Sequence, residues 1–198
     1  MKKIITISRE YGSGGRDIAK MTAEKLGYTF YDQAIINTVS EATGLNPDYI
    51  KKFGENTRRS HIFNYGYNGY MGIGFTGFSL PDYLWQKQRE LILYIAGIGN
   101  CVIVGRCADY ILRERDDCLN VFIHADMESR KKRAIEVYGD PNKNIEKVLK
   151  DKDKTRKTNY RYYTDQIWGD ASNYHLTLDS SEFGIEKCAD FITYLAKQ

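Results

Sequence analysis

Residues Ile4 to Asp17 read IITISREYGSGGRD, and this stretch decides the fold. An apolar β-branched run ends in a turn with three glycines, and a helical pattern begins at Arg16. Glycines at a strand-to-helix turn let backbone amides approach an anion closely, and the helix N-terminus adds its own partial positive charge. This is the layout of a phosphate-binding P-loop, whose usual pattern is GxxxxGK followed by Ser or Thr. Here Gly14 is followed by Gly15, Arg16 and Asp17, so the lysine and the hydroxyl residue are absent. Either other cations hold the phosphate or the loop has lost that chemistry. A purely steric glycine turn is the competing reading, and the flanking Arg9 and Arg16 favour the phosphate site.

Working outward, strand-like runs alternate with helical ones. The predicted strands are Ile4–Ser8, Tyr28–Tyr31, Cys101–Val104, Leu119–Ala125 and His175–Leu178. Between and after them, helices are expected over Arg16–Leu26, Gln33–Ala42, Pro47–Phe53, Pro81–Ile98, Glu128–Tyr138, a basic stretch from Asn142, and Ile185–Ala196. Strands alternating with helices predict an α/β domain, a three-layer α/β/α arrangement around a parallel five-stranded sheet. Ligands of such sheets bind beyond the carboxyl ends of the strands, where Arg9 to Gly15, Asp32, Gly105-Arg106 and Asp126 fall.

A chain of 198 residues that is 42% hydrophobic fits one domain with an insert and a lid. The net charge of +3 does not argue for nucleic acid, because both signs are mixed along the chain. The N-terminus, MKKIITIS, enters a strand directly and carries no leader pattern, and the four cysteines match no zinc spacing. Both point to a cytoplasmic protein with reduced thiols. The three histidines are scattered, with no GxSxG or Cys-His arrangement, so covalent hydrolysis is not expected.

His61 to Trp85 is unlike the rest, with eight aromatics and five glycines. It is too polar to span a membrane. Residues 44–85 are read as a Gly/Tyr-rich insert on the substrate side, which packs on itself, covers a substrate, or makes a homo-oligomer contact.

Three further places carry candidate chemistry. Asp32, in TFYDQAII, either caps the next helix or contacts a nucleotide. Arg106, in VIVGRCADY, either binds phosphate through its planar fork or pairs with a carboxylate. Lys150–Arg161, KDKDKTRKTNYR, holds six basic and two acidic residues. It reads as a solvated helix face, as a nucleic-acid patch, or, over 141–168, as a lid that brings cations onto a transferring phosphoryl group.

Together these pieces resemble cytidylate kinases, and more closely a cytidylate kinase-like group with the loop REYGSGG. The resemblance runs in matching order through Gly12 to Arg16, YDQAI, VGR, VFIHAD with MESRKKRA, DKDKTR and LDSS. It implies strand order 2-3-1-4-5 and phosphoryl transfer from ATP to a nucleoside monophosphate, most of all cytidylate, with no nucleic-acid or membrane partner. Gly12, Ser13, Gly14, Gly15 and Arg16 would hold the donor phosphates through their amides, and Arg16 or Arg9 would replace the lysine. Arg106 and Arg156 would clamp phosphates, while Asp32 and Asp153 would orient the acceptor. Mg2+ would bridge the donor phosphates with Ser13, Asp17 or water as its ligand, and no dedicated metal site is expected. Two alternatives stand: a kinase of another small metabolite, and a non-catalytic nucleotide-binding protein with a degenerate P-loop.

Overall fold

The computed structural model describes residues 1–32, 37–38, 41, 44, 80–139 and 144–198. The expectations for Pro47–Phe53 and for most of Gln33–Ala42 and of the 44–85 insert lie outside these residues.

The described chain runs β1 (Ile4–Arg9), α1 (Gly15–Leu26), β2 (Thr29–Tyr31), α2 (Leu80–Ile98), β3 (Cys101–Val104), α3 (Ala108–Ile111), β4 (Cys118–His124), α4 (Met127–Glu136), α5 (Ile145–Thr164), β5 (Leu176–Asp179) and α6 (Ser180–Lys197). The five strands form one sheet in the order β2-β3-β1-β4-β5, all parallel, as the resemblance implies. The short α3 was not expected from the sequence. The basic helix starts at Ile145 and ends at Thr164, within the span assigned to the lid.

The central strand β1 is buried along almost its whole length, as a strand covered on both faces must be. Ile5 and Ile7 face a layer built by Ile18 and Ala19 of α1 with Ala189 and Ile192 of α6. Ile4 turns the other way and packs with Ile92 and Ile95 of α2 and Leu112. The period-two alternation of β1 thus supplies both layers. On the second face Thr6 and Ser8 are small and polar, and they are bonded: Thr6 Oγ1 donates to Asn120 Oδ1 at 2.7 Å. Gly27 closes α1 in the left-handed region (φ 68°), where a glycine costs least, and turns the chain into β2. α6 is broken at Gly184 (φ 78°), which explains why its helical periodicity begins at Ile185.

Register sets up the functional end. β1 pairs with both β3 and β4, matching Ile7 to Val104 and Arg9 to Ile123. The glycine loop after β1 and the Gly105-Arg106 turn after β3 are therefore side by side, and the amide of Gly105 donates to the carbonyl of Ile7 at 3.0 Å. Among the described residues, no helix is long and apolar enough to cross a membrane.

Candidate functional site

The loop between β1 and α1 is folded around Ser13. The Ser13 hydroxyl is buried; it donates to the carbonyl of Glu10 at 2.9 Å and accepts the amide of Gly15 at 3.3 Å. The Ser13 amide also donates to Glu10, at 3.4 Å, and the Tyr11 amide donates to Asp153 Oδ1 at 2.8 Å. The amides of Gly12, Gly14 and Arg16 donate to no acceptor among the described residues, so only these three of the five expected amides are open to an anion. Gly12 has φ 85°, and a Cβ there would lie 2.8 Å from the carbonyl oxygen of Arg130. Conformation and space both require glycine at that position.

A buried ion-pair system fastens the loop to α4 and α5. Arg130, 5% exposed, donates to the carbonyl of Tyr11 at 2.8 Å, pairs with Asp153, and lies 3.3 Å from Glu10 Oε2. Asp153 is also within 3.4 Å of Arg156 Nη1. Both carboxylate oxygens of Asp153 are thus used inside the protein, under the loop rather than in a cleft. The helix expected to act as a lid is docked on the loop through this residue. The Tyr11 ring lies between them, with the Arg156 guanidinium 5.5 Å from its centre and Tyr138 edge-on at 5.7 Å.

The carboxyl ends of β1 and β3 open into a cleft lined by Ser8, Arg9, Arg106, Arg156, Asn159 and Tyr160. Three arginines from three separate segments line it. Arg156 is fixed by a 3.0 Å hydrogen bond from Nη1 to the carbonyl of Arg9. Arg106 sits in a run of three left-handed residues: Gly105 (φ 69°), Arg106 (φ 61°) and Cys107 (φ 53°). For the two side-chain-bearing residues that conformation costs about 1–2 kcal/mol each. Strain of this kind persists where the surrounding structure fixes it and clusters at functional sites.

Asp32 accepts from Arg16 Nε at 2.6 Å, and its second oxygen is 4.0 Å from Arg9 Nη2. Hydrogen bonding to Asp32 holds the Arg16 guanidinium even more firmly protonated than usual. Arg16 is thus engaged with Asp32, on the outer side of the loop. Asp126 is the N-cap of α4, accepting from the amide and hydroxyl of Ser129; these bonds lower its carboxyl to about 2.

Sequence reasoning missed Arg130, Asp109 and Tyr160. Arg130 and Ala134 form the buried stripe of an otherwise charged helix, and that spacing was the available signal. Asp109, almost fully buried, accepts from Tyr160 at 2.6 Å and from Ser8 at 3.3 Å, and burial pushes its carboxyl upward. It ties the floor of the cleft to α5. The four cysteines are free and buried; burial pushes the thiols of Cys101 and Cys188 up to about 11 and that of Cys118 up to about 12. None is poised as a thiolate nucleophile.

A second polar cleft, on the other side of the loop, is lined by Gly12, Ser13, Ser129, Lys132, Arg133 and Ser181. The loop region borders both concave surfaces, the first through Arg9 and the second through Gly12 and Ser13, and in the second Glu136 accompanies Lys132 and Arg133.

Magnesium fits these residues poorly. Arg16 occupies the position of the usual hydroxyl ligand, and the Ser13 hydroxyl is bonded on both sides. Asp17 is paired with Arg133 at 3.4 Å, and Glu10 Oε2 accepts the Ala125 amide at 3.2 Å. Among the described residues no group of three or more acidic, histidine or cysteine side chains could hold a metal ion.

Among solved structures, the chain is similar to an uncharacterized protein from Eubacterium ventriosum ATCC 27560, at 24% identity over 98% of both chains (TM-score 0.73). It is similar to a shikimate kinase from Acinetobacter baumannii solved with shikimate, at 16% identity over 98% of this chain and 93% of that one (TM-score 0.55). A gluconokinase from Sinorhizobium meliloti 1021 matches at 16% identity over 99% and 94% (TM-score 0.56). At these identities the likeness establishes the P-loop kinase-like fold. No curated protein matches the chain. The model of the cytidylate kinase-like family matches residues 4–182, a span that takes in the glycine loop, the three cleft arginines and β5, and the chain belongs to that family.

Proposed function

We propose that this protein transfers the γ-phosphoryl group of ATP to a small-molecule acceptor, and that the acceptor is a nucleoside monophosphate, cytidylate first among them. The observation that carries this reading is that Arg9, Arg106 and Arg156 line one cleft beside the glycine loop. Phosphoryl transfer asks the protein mainly for positioning and for charge neutralisation around the transferring group. Two clefts that border the loop region and carry basic side chains suit two anionic ligands.

The free amides of Gly12, Gly14 and Arg16 would receive donor phosphate oxygens, and the cleft with Lys132 and Arg133 would receive the rest of the nucleotide. Arg106 and Arg156 would hold the acceptor phosphate and the transferring group. Asp32 would orient the acceptor, with Arg16 holding its carboxylate in place. Asp153 would position the loop and Arg156 rather than touch substrate. No step is assigned to a protein-held metal.

A second reading is a kinase of another small anionic metabolite. It is favoured by the arginine cleft itself, since guanidinium forks bind carboxylate as well as phosphate. A third, nucleotide binding without transfer, is favoured by Gly15 in the lysine position.

Ligand-dependent heat stabilisation across ATP, CMP, dCMP, UMP, shikimate and gluconate separates the first two, and only transfer of the γ-phosphoryl group separates either from the third. A ligand at 100 times its Kd stabilises the native state by about 2.7 kcal/mol, which moves the midpoint measurably. The proposal expects shifts with ATP and with CMP or dCMP. A shift with gluconate or shikimate and none with any nucleoside monophosphate moves the assignment to the second reading.

A further inference from the structure

The pattern GxxxxGK, aligned so that it ends on Gly14-Gly15, puts its first glycine at position 9. In this chain that position is Arg9, and the lysine position is Gly15. The two residue types have exchanged places, and the structure gives the exchange a physical reason. A Cβ at position 15 would lie 2.5 Å from Arg9 Cβ and 3.0 Å from Arg9 Cγ, with Ile123 Cβ at 3.2 Å on another side. Gly15 opens α1 and is not among the positive-φ glycines, so its backbone admits any side chain. Space alone requires glycine there, and Arg9 fills that space. At the other end of the same side chain, a Cβ on Gly105 would lie 2.2 Å from Arg9 Nη1. The Arg9 side chain thus runs through a slot whose two walls are glycines.

We infer that Arg9 is the cation that meets the donor phosphates in this protein, moved across the loop from the lysine position, and that Gly15 is a glycine to let it through. The inference rests on the donor half of the function proposed above. The Arg9 side chain starts against the lysine position, at Gly15, and lines the cleft shared with Arg106 and Arg156. From that position the usual P-loop lysine reaches the β- and γ-phosphates. Arg9 is partly shielded, with 21% side-chain exposure and Asp32 at 4.0 Å, whereas Arg16 is 57% exposed and bonded to Asp32 at 2.6 Å. A charge removed from water acts more strongly on a phosphate than one left in it. The Arg9 carbonyl also anchors Arg156, so the two arginines are set relative to each other before any ligand arrives.

The test is a set of exchange variants whose ATP dissociation constants are measured by titration calorimetry, with the ligand-free melting midpoint as the check on folding. Arg9→Gly should weaken ATP binding by roughly 10²-fold. Gly15→Lys alone should lower the ligand-free midpoint, because its Cβ meets Arg9, and should also bind ATP poorly. The double variant Arg9→Gly/Gly15→Lys, which restores the usual order, should recover the midpoint and bind ATP at least tenfold more tightly than Arg9→Gly. Arg16→Ala should change ATP affinity less than Arg9→Gly does. Wild-type affinity in a folded Arg9→Gly overturns the inference. So does a loss on Arg16→Ala that exceeds the loss on Arg9→Gly, or a double variant no tighter than Arg9→Gly. If the wild type binds ATP but transfers to no acceptor, the proposed function fails while the role of Arg9 is still decided by the variants. If the wild type binds no ATP, both fail.

Discussion

Asp153, in the middle of α5, accepts the backbone amide of Tyr11 in the glycine loop at 2.8 Å, across 142 residues of sequence. The same carboxylate pairs with the buried Arg130, which in turn holds the Tyr11 carbonyl. The loop conformation is thus set by residues of two helices that lie far along the chain, and α5 cannot leave the loop without exposing or stranding a buried charge.

Removing that carboxylate therefore acts on stability first. Asp153→Ala leaves the buried Arg130 with Glu10 as its remaining carboxylate, and loss of one member of a buried pair costs up to about 3–5 kcal/mol. Chemical denaturation at neutral pH measures it. A change under about 1 kcal/mol with a large loss of turnover would make Asp153 a substrate-touching residue.

Arg156→Ala is expected to show the opposite pattern. It removes one hydrogen bond to the Arg9 carbonyl, about 1 kcal/mol of stability, but takes a positioned cation from the cleft and lowers turnover by roughly 10²-fold. Unchanged turnover would return α5 to a solvated structural helix.

Acid titration reports on the cap of α4. Asp126 is held at about 2 by its bonds to Ser129, below its ordinary value of 3.8. A carboxyl whose folded value is depressed stabilises the protein above the unfolded value, and that contribution is lost as the pH falls from about 4 to 2. Asp126→Asn keeps a capping oxygen but cannot titrate. Its melting midpoint should fall less than that of the wild type across this window; parallel curves would show that the cap carries no such linkage.

Metal removal tests the mismatch between magnesium and the residues of the loop. With Asp17 on Arg133 and Arg16 at the hydroxyl position, the proposed site would meet the donor phosphates with guanidinium groups rather than a protein-held ion. The rise in melting midpoint caused by ATP should persist in excess EDTA. A rise that requires added magnesium would mean that the loop does present a ligand once nucleotide is bound.

The architecture was legible in the sequence because its signals are local. The β-branched run of β1 and the glycine stop at Gly27 each report a backbone preference that needs no partner. Family likeness supplied the strand order, and the sheet has it. The site was less legible because its contacts join distant segments. KDKDKTR looks like a solvated i,i+4 ladder, and nothing local says that Asp153 alone turns inward while Lys150 stays on Glu146 at 2.5 Å. From the sequence, Arg16 is the first candidate to replace the lysine and Arg9 the competing one. Only the space around Gly15 separates them, and space is not written in residue order. Asp109 could have been noticed as the single acid in the run VIVGRCADYIL, but its bond to Tyr160 spans 51 residues.

The central claim is transfer, and following the γ-phosphoryl group tests it most directly. ATP labelled at the γ position is incubated with the wild-type protein and CMP, dCMP or UMP, and the products are separated. The account predicts label on the acceptor as a nucleoside diphosphate, CMP or dCMP foremost, in amounts that fall roughly 10²-fold with Arg156→Ala. Tight ATP binding with the label remaining wholly on ATP, whatever nucleoside monophosphate is supplied, would contradict it.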